Sequence, residues 1–399
     1  MPPDRAAPTS DRRFLLLYAL AWAGVSIAYT PLLTILLPVH VDGLADDRSV
    51  HWLAAITFVG ACAASVANIL FGWLSDITRN RRNWVATGLL LSALLLLAIP
   101  HARGLASLIF LVVAWQIGLN MMIAPLAAWA ADCVPDGLKG QLGGLLAFAP
   151  ATGALTGALV TVPGLADPPT RFAIVAAFTA VCILPLLLLG QSGTGGQTKG
   201  QTEAHTRPWH HAGIRTGTTR MWCARFLVQI SEAALFAYLY LWFRSVDPGL
   251  GDASAARILA VVLFLAAPCA LLAGRWADRR NRPIAPLRYA AVLAAIGLTV
   301  MALASSVTGA ILGYVLFGLA TNIFLALHSA QTLRVLPDGN RRGRDLGIFN
   351  LTNTLPSLFM PSLTLSLVPA LGFPALFAVL ALLATGAAVL LAGSQPPPA

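Results

Sequence analysis

Long apolar runs, separated by short polar or charged segments, make up most of this 399-residue chain. A helix needs about 20 apolar residues to cross the hydrocarbon core of a bilayer. Six such runs fall in the first half of the chain and six in the second. They lie at 14–38, 52–75, 84–99, 105–130, 142–162 and 172–189, then at 221–243, 258–273, 287–304, 309–331, 346–369 and 371–392. This pattern predicts an all-α membrane protein with twelve transmembrane helices in two six-helix halves.

Two polar motifs recur at a fixed distance of 202 residues. Gly72-Trp73-Leu74-Ser75-Asp76 corresponds to Gly274-Arg275-Trp276-Ala277-Asp278, and arginines follow both copies. Pro135-Asp136-Gly137 corresponds to Pro337-Asp338-Gly339 at the same offset. Two unrelated motifs that share one period of half the chain indicate a duplicated unit, so the two halves are expected to be pseudo-symmetric.

The composition excludes a soluble globular domain. Hydrophobic residues make up 57% of the chain and charged residues 11%, and the mean hydropathy is +0.76. A soluble domain of this composition would expose large apolar patches. The first apolar run follows Arg12 and Arg13 like a signal peptide, but it is too long for one and is needed for an even number of helices.

The net charge of +10 raises the possibility of a nucleic-acid partner, but the positions of the cations indicate membrane topology instead. With the N-terminus in the cytoplasm, twenty Lys and Arg residues lie in predicted cytoplasmic segments and five on the other side. The positive-inside rule therefore predicts an integral protein of the cytoplasmic membrane with both termini in the cytoplasm. We expect no nucleic-acid partner, and we expect a monomer in contact with the lipid bilayer.

One long polar stretch, rich in Gly, Ser, Thr and Gln, divides the chain. Such a composition is typical of a flexible linker. The predicted organisation is a cytoplasmic tail (1–13), a six-helix half (14–189), a cytoplasmic linker (190–220), a second six-helix half (221–392) and a C-terminal tail (393–399). His205, His210 and His211 lie in the linker without partner carboxylates, and the five cysteines have no paired spacing. We therefore expect no metal site and no cofactor.

The seventh predicted helix carries the one acidic residue deep inside an apolar run, Glu232. Arg225 and Gln229 lie seven and three residues before it, so the three share one helical face. Ionisable residues at this depth are costly and usually face the interior of a bundle. Desolvation favours the neutral form of a carboxyl group, which suits a proton carrier. A hydrogen bond from Glu232 to a neighbouring helix is an equally good explanation.

Twelve helices in two halves, a long central linker and a G-x-[L/W]-x-D motif with an Arg cluster after helices 2 and 8 resemble the major facilitator superfamily. The resemblance implies a secondary transporter that opens a central cavity alternately to each side of the membrane. It also implies a gating role for both copies of the motif, although the arginines could be topology markers alone. The gating residues are Gly72, Asp76, Arg79 and Arg81 in the first copy, and Gly274, Asp278, Arg279 and Arg282 in the second.

Both copies depart from the family pattern, which has glycine three residues after the aspartate. Asn281 takes that place in the second copy, and the arginines of the first copy fit the pattern only with a one-residue extension. For both motif glycines we expect close approach to a neighbouring helix.

In the family, helices 1, 4, 7 and 10 line the cavity, and helix 11 adds a polar stripe here. The residues expected to bind substrate are Tyr29, Gln116, Asn120, Gln229, Glu232, Asn322, Asn350 and Asn353. Those expected to couple protons are Glu232, Arg225 and His328. Each polar residue could instead hydrogen-bond a neighbouring helix.

The segment Arg344–Leu351, with Pro356, is similar to the helix 11 entry of sucrose-type glycoside/cation symporters. We therefore predict proton-coupled symport of a neutral polar solute such as a sugar or glycoside. Helices 1 and 2 contain no acidic residue deep in an apolar run that could form a sodium site. The alternative is an exporter of drugs or amphipathic metabolites, since Gly153 and Gly157 near Pro150 partly match the Gly-Pro motif of drug antiporters. The sequence contains no nucleophile motif or phosphate-binding loop, so we do not expect an enzyme.

Overall fold

The computed structural model describes residues 9–134, 142, 145–146, 148–190, 211–280, 282, 284–335 and 342–393. The repeated loop motifs at 135–137 and 337–339, and most of the predicted linker, lie outside these residues. The described chain is almost entirely helical, and the all-α membrane fold predicted from hydropathy is confirmed.

Seven helices belong to the first half of the sequence. They are α1 (Thr9–Pro31), α2 (Leu37–Ala45), α3 (Ser49–Thr78), α4 (Arg81–Ala98), α5 (Leu105–Cys133), α6 (Ala149–Val160) and α7 (Pro168–Leu189). The second half forms α8 (His211–Val246), α9 (Asp252–Arg279), α10 (Ala285–Leu303), α11 (Val307–Val335) and α12 (Arg342–Ala392). Helix α8 contains the seventh predicted helix and α11 the tenth, and α8 begins ten residues before the expected position.

Within the described residues, ten helical segments are long and apolar enough to cross a membrane. The first of them joins α1 to α2 through the π-helical segment Leu32–Leu36, which follows Pro31. The fifth predicted helix is represented by the short α6. Helix α12 covers both the eleventh and the twelfth predicted helices, with a break at Gly372, where φ is 76°. The full count of twelve membrane helices stays a prediction.

Two compact units make up the chain. Unit 1 comprises Met1–His40 and Val59–Lys199, and unit 2 comprises Val41–Phe58 and Gly200–Ala399. In unit 1, α1 packs against α6 and α7, and α4 packs against α5 and α7. In unit 2, α12 packs against α8 and α10, and α11 packs against α9, α10 and α8. Because unit 2 includes Val41–Phe58, it contains the end of the first membrane helix and the start of the second.

In each unit, one of the helix pairs that approach closely through glycine is related to a pair in the other unit by the repeat. A Cβ atom on Gly88 of α4 would lie 2.5 Å from the Met122 backbone nitrogen of α5. A Cβ atom on Gly297 of α10 would lie 2.6 Å from the Phe317 nitrogen of α11. Small residues let membrane helices approach backbone to backbone, and packing at that distance stabilises them where the hydrophobic effect cannot. These two contacts therefore fix the α4–α5 and α10–α11 pairs.

We expect Gly88→Ala and Gly297→Ala each to destabilise the protein by about 1–3 kcal/mol, because backbone on the facing helix must move to admit the methyl group. The measurement is the thermal unfolding midpoint of the purified protein in detergent. Gly60→Ala is the control, since its Cβ would meet side-chain atoms alone, the nearest being Val112 Cγ1 at 3.5 Å and Gln116 Cγ at 3.7 Å. Equal midpoints for Gly88→Ala and Gly60→Ala would show that α4 and α5 are not held by this contact.

Candidate functional site

Helix α8 carries a polar stripe inside an otherwise apolar span, as the 3.6-residue period predicts. The Gln229 side chain donates a hydrogen bond from Nε2 to Glu232 Oε2 at 3.2 Å. Gln229 Oε1 is buried, and the described residues provide it with no hydrogen-bond donor. A buried acceptor without a donor is costly. A hydrogen-bond donor beside Gln229 Oε1 would therefore be stabilised, whether it is the protonated carboxyl group of Glu232, a water molecule or a hydroxyl group of a solute.

The guanidinium of Arg225 lies deep inside unit 2, with 6% of the residue exposed. Its Nη1 donates a hydrogen bond to the Leu325 carbonyl oxygen of α11 at 3.3 Å. The charges of Arg225 and Glu232 also interact electrostatically. A buried charge requires such partners, because transfer from water to an apolar environment is unfavourable. The arginine therefore connects the α8 stripe to α11.

His328 of α11 is completely buried, and its Nε2 lies 2.8 Å from the Met221 carbonyl oxygen at the start of the apolar part of α8. A carbonyl oxygen can only accept, so Nε2 carries the proton in this contact. The imidazole ring also packs on Phe324, with ring centroids 5.4 Å apart. His328 thus makes a second connection between α8 and α11, next to that of Arg225.

An amide cluster occupies unit 1. Asn68 Nδ2 donates to Asn120 Oδ1 at 3.1 Å, and Asn120 Nδ2 donates to the Gln116 carbonyl oxygen at 2.9 Å. In unit 2, Asn322 Nδ2 makes the equivalent bond to the Gly318 carbonyl oxygen at 2.8 Å. Asn120 and Asn322 are themselves 202 residues apart, so the repeat preserves this asparagine. The sequence prediction omitted Asn68, and a search for polar residues on the second helix would have found it.

The other predicted substrate residues lie on α1 and α12. Tyr29 lies half-buried on α1 of unit 1. Asn350 and Asn353 lie on the backbone of α12, but their side chains are outside the described part of the structure, as is the side chain of Asp278. The predicted polar stripe of helix 11 therefore stays a prediction.

In the first copy of the predicted gating motif, bonds from Arg81 connect the start of α4 to the end of α3. Arg81 forms an ion pair with Asp76 at 2.5 Å and donates a hydrogen bond to Ser75 Oγ at 2.5 Å. Arg79 adopts a left-handed backbone conformation, with φ at 51°. It occupies the place, three residues after the aspartate, where glycine is usual in this motif, and glycine reaches that region at little cost.

The two motif glycines differ in their surroundings. A Cβ atom on Gly274 would lie 3.2 Å from Leu327 Cδ2, which is a tight contact. The expectation of close approach is wrong for Gly72, whose Cβ would lie 3.9 Å from Ala124. In the second copy, Arg279 and Arg282 are exposed, and the Arg282 amide donates to the Ala277 carbonyl oxygen at 3.0 Å.

Duplicated helical units with ionisable and amide side chains inside membrane helices are the organisation of a secondary transporter. Comparison with family models gives the same result. The model of the major facilitator superfamily matches residues 14–321 and 221–399. The chain belongs to the major facilitator superfamily.

Solved structures share the fold at low sequence identity. One is a bacterial homologue of the human lysosomal transporter Spinster in an inward-facing, occupied conformation. It is 14% identical, with a TM-score of 0.74, and the match covers 98% of this chain and 100% of that one. The same homologue in an inward-facing, unoccupied conformation is 15% identical, with a TM-score of 0.68 and coverage of 98% and 96%. No curated protein sequence matches the chain.

Replacing Arg79 tests the strained backbone of the first motif. A residue other than glycine with positive φ costs about 1 kcal/mol or more. Arg79→Gly and Arg79→Ala both remove the charge, but only glycine removes the strain. We expect the glycine variant to unfold a few degrees above the alanine variant in a thermal-shift measurement. A glycine variant that unfolds at or below the alanine variant would contradict the left-handed conformation.

Replacing His328 separates a structural role from a titrating one. His328→Ala removes the buried hydrogen bond to the Met221 carbonyl oxygen and opens a cavity, so we expect a loss of about 2–4 kcal/mol. His328→Gln keeps an N–H donor and should restore part of the thermal stability. Equal stability of the two variants would exclude the hydrogen bond as the cause. A glutamine variant that is stable but unable to drive flux with protons would instead indicate titration of the imidazole.

Proposed function

We propose that this transporter works by alternating access and couples the import of a neutral polar solute, such as a sugar or glycoside, to protons. The observation that supports coupling is the position of Glu232. Among the described residues it is the one carboxylate that lies far from the ends of a membrane-spanning helix. Intramembrane carboxylates are rare because they are costly, and they mark proton or substrate pathways.

The surroundings of Glu232 suit a group that gains and loses a proton. The bilayer interior disfavours the ionised carboxylate, whereas a nearby guanidinium stabilises it. Arg225 supplies that positive charge, and Gln229 supplies a hydrogen bond to one carboxylate oxygen. Because these two effects on the carboxyl group oppose each other, a solute that binds beside Gln229 can shift the protonation of Glu232. Binding of solute and proton are then linked thermodynamically.

The chemistry of the polar side chains favours a neutral solute. In unit 2, Gln229 and Asn322 present amide groups, which pair with hydroxyl groups as donors or acceptors. The charges of Arg225 and Glu232 offset one another in the same stripe, so a solute with net charge would leave one of them unbalanced. The unoccupied acceptor of Gln229 would accept a hydrogen bond from a solute hydroxyl group. The sugar assignment also rests on the local similarity of 344–351 to glycoside symporters.

We also propose that both termini lie in the cytoplasm and that the protein is a monomer. The motif at Gly72–Asp76 would then lie on the cytoplasmic side, where its Arg81 bonds can be made and broken during the cycle. The bacterial Spinster homologue has been solved in inward-facing states, with and without an occupant. We infer a cycle through a comparable inward-facing state for this chain.

An exporter of amphipathic compounds is the second candidate, and one contact favours it. A Cβ atom on Gly153 of α6 would lie 2.5 Å from the Ser26 carbonyl oxygen of α1. This close packing falls in the segment that partly matches the Gly-Pro motif of drug antiporters.

Proteoliposomes with a pH gradient of either sign separate the two functions. Symport moves solute in the same direction as protons, and antiport moves it in the opposite direction.

Replacing Glu232 tests the coupling. In proteoliposomes assayed with a panel of radiolabelled sugars, we expect Glu232→Gln to lower pH-driven uptake at least about tenfold. Solute exchange without a gradient should persist, because the glutamine resembles the protonated carboxyl group. Asp167→Asn is the control, since that carboxylate is exposed and lies in the loop before α7. Driven uptake equal to that of the unmodified protein would remove Glu232 from the coupling role.

A further inference from the structure

A groove lies between α10 and α12 on the surface of unit 2, and its volume is about 340 Å³. The side chains that line it include Val292, Ile296, Thr299, Leu303, Thr385 and Ala388. Thr299 and Thr385 each donate their hydroxyl proton to the carbonyl oxygen four residues earlier in their own helix, at 2.9 and 2.8 Å. The two hydroxyl donors are thus already used, and the groove offers hydrocarbon to whatever fills it.

The position of the groove along α10 sets its depth in the membrane. Residues 292–303 cover about 16 Å at a rise of about 1.5 Å per residue, which is close to half of the roughly 30 Å hydrocarbon core. Just before them, Tyr289 packs on Trp276 of α9 with ring centroids 6.2 Å apart, and both side chains are exposed. Tyr and Trp with such exposure mark the headgroup level. The groove therefore begins near the headgroups and is about as long as one leaflet is thick.

Two exposed arginines lie at the headgroup end of the groove. Arg288 comes four residues before Val292 and eleven before Thr299, so it shares the groove-lining face of α10. Arg220 of α8 donates from Nη1 to the Gly393 carbonyl oxygen at 2.6 Å, just after the end of α12. That bond uses one of its five guanidinium donors and leaves the others for a ligand.

The two arginines lie at the same end of unit 2 because their neighbours in the sequence share one buried cluster. Leu287 of α10, Met221 of α8 and Leu391 of α12 all belong to it. Within the described residues, neither arginine forms an ion pair. Two cations at headgroup depth, without a carboxylate to neutralise them, attract an anionic group.

We propose that the groove binds an acyl chain of one anionic phospholipid, whose phosphate contacts Arg288 and Arg220. Such a lipid has both of the required parts, a hydrocarbon chain for the groove and a negative headgroup next to it for the arginines. The proposed topology places this end in the cytoplasmic leaflet, where anionic lipids attract basic segments. None of these residues belongs to the α8 stripe, so the lipid site is separate from the proposed solute site.

Photo-labelling of the intact protein tests the site without a transported solute. The protein is placed in phosphatidylcholine nanodiscs with a small fraction of phosphatidylglycerol that carries a diazirine in its acyl chain, and labelled peptides are mapped by mass spectrometry. We expect labelling to concentrate at 292–303 and 385–388. Arg288→Ala should lower it about three- to tenfold, the factor that corresponds to one interfacial cation, whereas Arg288→Lys should restore most of it. A diazirine lipid with a phosphocholine headgroup should label the groove less and should not respond to Arg288→Ala.

Filling the groove provides the second arm. Thr299→Phe adds a ring at an exposed groove position and should abolish labelling there by both lipids. Leu293→Phe is the matched control, since it adds the same ring to an exposed position of α10 outside the groove lining. Equal labelling by the two lipids, with no effect of Arg288→Ala, would overturn the headgroup assignment. Labelling unchanged by Thr299→Phe would overturn the groove, and an unlabelled groove in nanodiscs that hold two copies would assign it to self-association instead.

Discussion

The cost of placing charge inside a bilayer is the constraint on which the second unit depends. Arg225 and Glu232 interrupt an apolar helix, and each must be compensated there because lipid offers no hydrogen bonds. The compensation comes from Gln229 on the same helix and from the Leu325 carbonyl oxygen on α11. His328 adds a bond from α11 to α8. The charges therefore constrain the packing of α8 on α11, beside an apolar core that includes Ala224, Val228 and Phe324.

Duplication explains the scaffold but not the charges. Both units contain a helix pair with a close glycine contact, at Gly88 or Gly297, and both keep an asparagine bonded to the carbonyl oxygen four residues earlier. At the positions equivalent to Arg225 and Glu232, however, the first repeat has Ala23 and Thr30. Thr30 is buried against the close contact at Gly153. One repeat thus keeps a packed neutral interior, while the other has acquired the ionisable groups.

Hydropathy predicts the fold because each membrane helix must supply about 20 apolar residues from its own sequence. The α8 stripe is predictable for the same reason, since residues 225, 229 and 232 share a face by helical period alone. The helical period does not encode which helices are neighbours. It therefore cannot predict the bond from Asn68 to Asn120 or the approach of Gly88 to Met122. The left-handed backbone at Arg79 has no signal in its residue type, because arginine rarely adopts it. The repeat offset is the remaining signal, and it relates Asn120 to Asn322.

The charged pairs of unit 2 differ in burial, and therefore in the energy that each contributes. Removing one partner of a buried charge pair costs about 3–5 kcal/mol, whereas an exposed pair contributes about 0–1 kcal/mol. Arg225 is almost fully buried, so loss of its partners would leave a costly unpaired charge. Arg244 of α8 pairs with Asp42 of α2, and these two side chains are 42% and 22% exposed. Solvent therefore keeps this second pair weak, and its loss would cost the fold little.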